Sequence, residues 1–98
     1  MSQLKNVALS MLELASMKDV DQGPAGALDR AMKTAQHVEA LGFTRFWVAE
    51  HHNMDAIASS ATTVLMGYLA GGTSSIRIGS GGIMLPNHAP LVVAEQIG

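Results

Sequence analysis

Short apolar segments alternate with helical patterns along this chain, and this alternation restricts the fold more than any other feature. Apolar runs of strand length cover Asn6–Leu12 and Arg45–Ala49, and a third begins at Ile76. A helical pattern separates the first two over about Ala25–Leu41, and a second covers 61–69. Strands that alternate with helices at short spacing form a right-handed parallel array. The sequence therefore predicts an α/β fold with a parallel sheet.

The helix boundaries carry signals of their own. Residues 19–26 contain Asp, Gly and Pro and are typical of a loop, and Gly42 occupies the expected position just after the first helix. Ser59 or Ser60 can cap the second helix, and Pro90 suits the first turn of a third. The apolar residues predicted to form the buried face of the first helix are Leu28, Met32, Ala35, Val38 and Leu41.

The length of the chain limits how much of a parallel fold it can contain. It has 98 residues, whereas a TIM (β/α)8 barrel needs about 250. As a barrel, residues 1–98 would be the N-terminal part of a single domain, truncated after its first three βα units. Its sheet edges and its barrel interior would then be uncovered. Trp47 alternates with Phe46 and Val48, and we expect it in the core.

The composition excludes several classes of partner. Six Lys and Arg residues against eight Asp and Glu residues give a net charge of -2 without a basic stripe, so neither nucleic acid nor a membrane surface is an expected partner. No segment approaches the roughly 18 apolar residues of a membrane span, and the N-terminus does not resemble a signal peptide. These features predict a cytoplasmic protein. Cys is absent, which excludes disulfides and thiolate chemistry.

Titratable residues stand where the second strand ends. The sequence RFWVAEHHN runs from an apolar strand into Glu50, His51 and His52. Ligands bind at the carboxyl ends of parallel strands, and a carboxylate beside an imidazole suits acid/base chemistry. Adjacent residues of an extended chain point to opposite faces, so His51 and His52 do not readily share a metal ion, and no metal site is predicted. The alternative is that one histidine caps the rim of the sheet and the other is solvated.

Glycines end the third strand. The segment Gly79-Ser80-Gly81-Gly82 lacks the remaining residues of a nucleotide-binding fingerprint, because Met84 stands where its last Gly would be. Glycine within a strand pattern marks either a bulge or the close approach of another backbone or a flat ligand. Both readings stay open. Two other histidines receive plainer interpretations: His37 is a solvated helix residue, and His88 helps to cap the third helix.

Two of these segments together resemble the luciferase-like flavin monooxygenases, the family of bacterial luciferase. They are RFWVAEHHN at 45–53 and IGSGGIMLPNHAPLVVAEQIG at 78–98, and the opening VALSMLEL is similar to the first strand of that family. The resemblance covers the whole chain. It implies a TIM barrel that binds reduced FMN at its C-terminal rim and a reaction with oxygen through a peroxyflavin.

The resemblance also implies roles for particular residues. His51 matches the catalytic acid/base of the family's Glu-His-His element, and Glu50 lies beside it in the flavin pocket. Gly81-Gly82, with Ser80 before it, matches the small residues that form a cis peptide under the flavin ring. Such a bond costs about 3 kcal/mol and is kept only where the surroundings enforce it.

The resemblance implies partners as well, and it leaves a gap. The implied partners are a small-molecule substrate and a flavin reductase or another NAD(P)H-linked source of reduced flavin. A second copy of the chain is also implied, packed through helices near Asn87–Glu95, where Glu95 forms interface hydrogen bonds. The family's flavin-phosphate contacts come from later strands, so we expect these 98 residues alone to bind FMN weakly or not at all. A non-catalytic flavin-binding relative and an inactive truncated module that self-associates are the alternatives.

Overall fold

The computed structural model describes residues 5–98 and contains a three-stranded parallel sheet with helices between its strands. In chain order the elements are β1 Ser10–Leu12, α1 Pro24–Ala40, β2 Arg45–Val48, α2 Thr62–Gly71, β3 Arg77–Ser80 and α3 Pro90–Ile97. The strand order is β1-β2-β3, with β2 in the centre. The predicted parallel α/β array is therefore confirmed. Within residues 5–98 no helix is long and apolar enough to cross a membrane.

The register of the sheet brings the carboxyl ends of the three strands to one edge. Trp47 of β2 lies opposite Leu12 of β1 and Gly79 of β3. β1 is shorter than predicted, since only Ser10–Leu12 forms a strand. The carbonyl of Leu9 still accepts a hydrogen bond from the Thr44 N–H, but residues 5–8 belong to no strand. Paired backbone is what distinguishes a strand from an extended apolar run.

The hydrophobic core lies on one face of the sheet, under α1 and α2. Its fully buried residues include Phe46, Val48 and Leu69, together with a row of small residues on α1, namely Ala27, Ala31 and Ala35. These three residues recur every four positions and therefore lie on one face of α1. The predicted helical face is therefore right in period, but Leu41 at its end is exposed, and Gly42 adopts the left-handed conformation expected after a helix (φ +86).

The prediction that Trp47 lies in the core is wrong. It is 37% exposed rather than buried in the core, because strand alternation places Phe46 and Val48 beneath the helices and Trp47 on the opposite face of the sheet. Leu12, its neighbour in β1, is exposed on that face as well. Strand periodicity separates the two faces but does not say which of them another layer covers.

Two helix and strand boundaries also differ from the sequence prediction. Ala61 occupies the N-cap position of α2 in place of Ser59 or Ser60, and its side chain makes no capping hydrogen bond. β3 begins at Arg77 because the N–H of Ile76 donates to the carboxylate of Glu39 on α1. That carboxylate also accepts the N–H groups of the two preceding serines, so it fixes the turn that leads into β3.

Candidate active site

The side chains of β2 point alternately into two different environments. This alternation continues beyond the end of the strand. Trp47 and His51 line a cavity on the exposed face of the sheet, as does the residue midway between them, Ala49. Val48 and Glu50 are buried on the helix-covered face. The extended backbone therefore carries the period of two from β2 into the following loop, which sends His51 and Glu50 in opposite directions.

The cavity lies at the carboxyl ends of the strands and has a volume of about 450 Å³. This volume falls within the range of small-molecule sites. Its wall is mostly apolar and includes Leu12, Leu14, Trp47 and Gly81, with His51 as the titratable side chain among the residues that line it. The sheet thus offers a flat apolar surface with one imidazole at its rim.

His51 is held in a way that leaves one ring nitrogen free. Its Nδ1 is buried and has no hydrogen-bond partner within the described residues. Its backbone N–H donates to the carbonyl of Ser59 at 3.4 Å. A buried polar atom without a partner is uncommon in proteins. An imidazole nitrogen in this position can accept or donate a proton.

Gly81 also lines the cavity. A Cβ atom at this position would lie 3.2 Å from Cε3 of Trp47 and 3.4 Å from Cδ1 of Leu12, so a larger residue would displace the wall. The Gly81 N–H donates to the Val48 carbonyl at 2.6 Å, which carries the β2–β3 pairing one residue past the strand. Glycine at this position therefore leaves room for the side chains of Trp47 and Leu12.

Ser80 and Gly82 form a tight turn around Gly81. The Ser80 hydroxyl lies 2.6 Å from the Gly82 carbonyl oxygen and accepts a hydrogen bond from the Gly82 N–H at 3.2 Å. The cis peptide expected for Gly81-Gly82 is not found, since the peptide bonds of residues 5–98 include no cis bond. The trans form is the default because the cis form of a non-proline bond is strongly disfavoured.

Glu50 lies on the other side of the sheet, where it joins two histidines. Its carboxylate is 1% exposed and lies 2.5 Å from Nε2 of His52 and 2.8 Å from Nε2 of His88. The Met84 N–H is a third donor at 3.4 Å. Burial opposes ionisation of this carboxyl, but the hydrogen bonds from the two histidines and Met84 outweigh it, so the pKa of Glu50 is lowered.

The structure thus divides the predicted Glu-His-His cluster. It brings together Glu50 and His52, places His51 alone in the cavity, and adds His88, which the sequence analysis treated as a helix cap. That interpretation is wrong, because α3 has no side-chain cap and the His88 imidazole reaches Glu50. The signal available in the sequence was the position of His88 in the loop after β3, at the same edge of the sheet as Glu50. No cluster suited to a metal ion occurs within residues 5–98.

Comparison with known protein families gives one assignment. Residues 11–98 match the family described as luciferase-like monooxygenase. A luciferase-like monooxygenase of Escherichia coli (strain K12) is 49% identical over 94 residues, which cover 96% of this chain and 28% of that protein. The chain therefore spans somewhat more than a quarter of the length of this curated relative.

Solved structures agree with this assignment. The crystal structure of apo-MsnO8 superimposes with a TM-score of 0.87 at 41% identity and covers 93% of this chain and 27% of its own. The oxygenating constituent of 3,6-diketocamphane monooxygenase from the CAM plasmid of Pseudomonas putida, a type II Baeyer-Villiger monooxygenase in complex with FMN, gives a TM-score of 0.72 over 92% of this chain and 25% of its own. At 18% identity this second likeness concerns the fold alone. The three strands are those of a TIM barrel, as the sequence analysis expected.

Glu50→Gln tests whether the buried carboxylate stabilises the fold. Hydrogen bonds lower its pKa from the ordinary 4.5, so the stabilisation is present above that pH and is lost as the pH falls through the lowered pKa. We expect Glu50→Gln to lower the free energy of unfolding near neutral pH, and its deficit relative to wild type to shrink below about pH 4.5. Denaturant titrations across a pH series measure this. Asp55→Asn, exposed in the same loop, is the matched control, and a deficit of Glu50→Gln that does not vary with pH would contradict the prediction.

Proposed function

This chain belongs to the luciferase-like monooxygenase family, and we propose that the protein carrying it uses reduced FMN and oxygen to oxygenate a small molecule. The observation that carries the proposal is that His51 and Gly81 line one cavity at the carboxyl ends of parallel strands. Active sites of TIM-barrel enzymes lie at this end of the strands. A flavin reductase or another NAD(P)H-linked system would supply the reduced flavin.

The residues of the cavity suit one face of a flavin ring. Leu12 and Trp47 provide apolar surface, and the lack of a side chain at Gly81 lets both of them lie close to the end of β3. When bound, reduced FMN supplies the electrons that activate oxygen. His51 would hold or transfer a proton through its imidazole, which lines the cavity. Ser80 and Gly82 would shape the turn beneath the ring.

Glu50 has a different part in this proposal from the one that the resemblance implies. Its carboxylate is absent from the cavity that His51 lines and contacts His52 and His88 on the helix-covered side. It would therefore support the flavin site from the helix-covered side of the sheet and would not touch the ring.

The phosphate of FMN needs contacts that this wall does not offer. A buried phosphate requires several charge-assisted hydrogen bonds, and neither Lys nor Arg is among the described residues that line the cavity. We therefore propose that residues 1–98 bind the ring face weakly or not at all by themselves, and that residues elsewhere in the barrel hold the phosphate.

We also propose that the protein self-associates through its helices. α3 exposes Leu91 (70%) and Val92 (44%), and α2 exposes Val64 (71%). Adjacent apolar residues at this exposure are typical of an interface. The region Asn87–Glu95 would form the contact between two copies, with Glu95 as a hydrogen-bonding residue in it.

His51→Ala tests the proposed function directly. In the full protein we expect turnover to fall by roughly 100-fold or more, the scale of a lost general acid/base, with FMN affinity nearly unchanged. Coupled oxygen uptake and flavin titration measure the two quantities. His37→Ala is the matched control because His37 is exposed on α1. Wild-type turnover by His51→Ala would show that His51 is not catalytic and only caps the rim of the sheet.

Trp47 offers a test of weak flavin binding, since it is the only tryptophan in the chain and lines the cavity. For the 98-residue chain we expect no saturable quenching of Trp47 fluorescence at micromolar FMN, because phosphate contacts supply much of the binding free energy. Riboflavin, which lacks the phosphate, is the control ligand and should behave like FMN. Tight, saturable quenching by FMN would show that no further strands are needed.

Leu91→Glu tests self-association. A charge at this exposed apolar position disfavours burial in an interface, so we expect the sedimentation coefficient to fall to that of a monomer while wild type sediments as an oligomer. Val20→Glu is the matched control, because Val20 is 81% exposed in the turn before α1. A monomeric wild-type protein would rule the interface out.

A further inference from the structure

Glu50 connects the two loops that carry His51 and Gly81. We infer that Glu50, held by His52 and His88, is a positioning residue that orients His51 towards the cavity. The inference rests on the proposed function, in which His51 is the catalytic residue. It assigns His88 a part in the same site, although His88 lies outside the cavity that His51 lines.

The first step is the order of the three residues along the chain. Glu50 and His52 flank His51, and their side chains meet each other on the helix-covered side at 2.5 Å. In an extended segment the residue between two such neighbours points the opposite way. The Glu50–His52 contact therefore holds the short backbone segment in the conformation that directs His51 into the cavity.

His51 has little to fix its orientation by itself. It follows β2 and lies beyond the strand ladder, its Nδ1 has no partner within residues 5–98, and its backbone N–H bond to Ser59 is long at 3.4 Å. Catalytic side chains are ordinarily held by supporting hydrogen bonds. Here the supporting bonds belong to the neighbours of His51 in the sequence.

The second step is the connection to the loop after β3. The Glu50 carboxylate accepts hydrogen bonds from the imidazole of His88 and the N–H of Met84, and both donors lie in the segment that follows Gly81. Gly81 is in turn bonded to the carbonyl of Val48. Glu50 thus fixes the position of the His51 loop relative to the Gly81 loop, and both loops contribute to the cavity.

The third step concerns what His88 must supply. The lowered pKa of Glu50 makes it a carboxylate at neutral pH, and a carboxylate only accepts hydrogen bonds. Nε2 of His88 and Nε2 of His52 must therefore both carry a hydrogen. The task of His88 is to donate one N–H, without any transfer of a proton, and a glutamine amide can do the same.

The test compares His88→Gln, which keeps a donor, with His88→Ala, which removes it, and with His37→Ala on the exposed side of α1. In the full protein we expect His88→Ala to lower kcat by about 10- to 100-fold, the scale of a small misplacement of a catalytic group. FMN affinity should fall less than kcat does, because the phosphate contacts elsewhere in the barrel remain. His88→Gln should restore kcat to within about threefold of wild type, and His37→Ala should match it.

A second readout needs neither flavin nor turnover. Nitrogen-15 NMR of the flavin-free protein reports the environment of the His51 imidazole. We expect His88→Ala to shift the His51 resonances, while His88→Gln and His37→Ala leave them at their wild-type positions. If His88→Ala does not fold, Glu50→Gln replaces it, since it removes the charge and one acceptor site, and it should shift the His51 resonances too.

Two results would overturn the inference. One is a His51 signal at its wild-type position in His88→Ala, or in Glu50→Gln if His88→Ala does not fold. The other is a His88→Gln enzyme as slow as His88→Ala, which would make His88 a proton-transfer group instead. Two other results would contradict only the proposed function: a full-length protein that oxygenates nothing, or full turnover by its His51→Ala variant. The NMR comparison would still decide whether His88 and Glu50 orient His51.

Discussion

The alternation of side chains along the central strand β2 is the constraint on which the site depends. Because β2 pairs with a strand on each side, the directions of its side chains are fixed. Each side chain points either towards the helices or towards the open face of the sheet. A shift of one residue would exchange Glu50 and His51 between the two faces. The carboxylate of Glu50 and the imidazole of His51 are neighbours in sequence, yet they lie on opposite faces of the sheet.

The buried carboxylate of Glu50 shows how the two faces are connected. A charge removed from water is unfavourable unless donors surround it, and here the donors come from two loops, through His52 and His88. The same hydrogen bonds that offset the burial therefore also hold the carboxyl ends of β2 and β3 together. Stability and the geometry of the cavity depend on one group of contacts.

The cavity itself is one wall of a site. Trp47 and Leu12 are exposed on a sheet face that no described residue covers, whereas the opposite face has a packed core of Phe46, Val48 and Leu69. In a TIM barrel the uncovered face is the interior, and side chains from the other strands fill it. This explains why a large aromatic residue on the central strand is not part of the core.

Local patterns in the sequence determined much of the architecture. The period of α1, the left-handed Gly42 and the position of Pro90 in the first turn of α3 followed from interactions between residues close in the chain. The parallel array followed from the order in which strands and helices alternate. His51 was singled out by its place at the end of a strand, and the structure puts it in a cavity. Only the tertiary structure decided that Trp47 lies on the uncovered face and that His88 bonds to a carboxylate 38 residues away. Strand periodicity distinguishes two faces without revealing which is covered, and a hydrogen bond between distant residues leaves no periodic signal in the sequence.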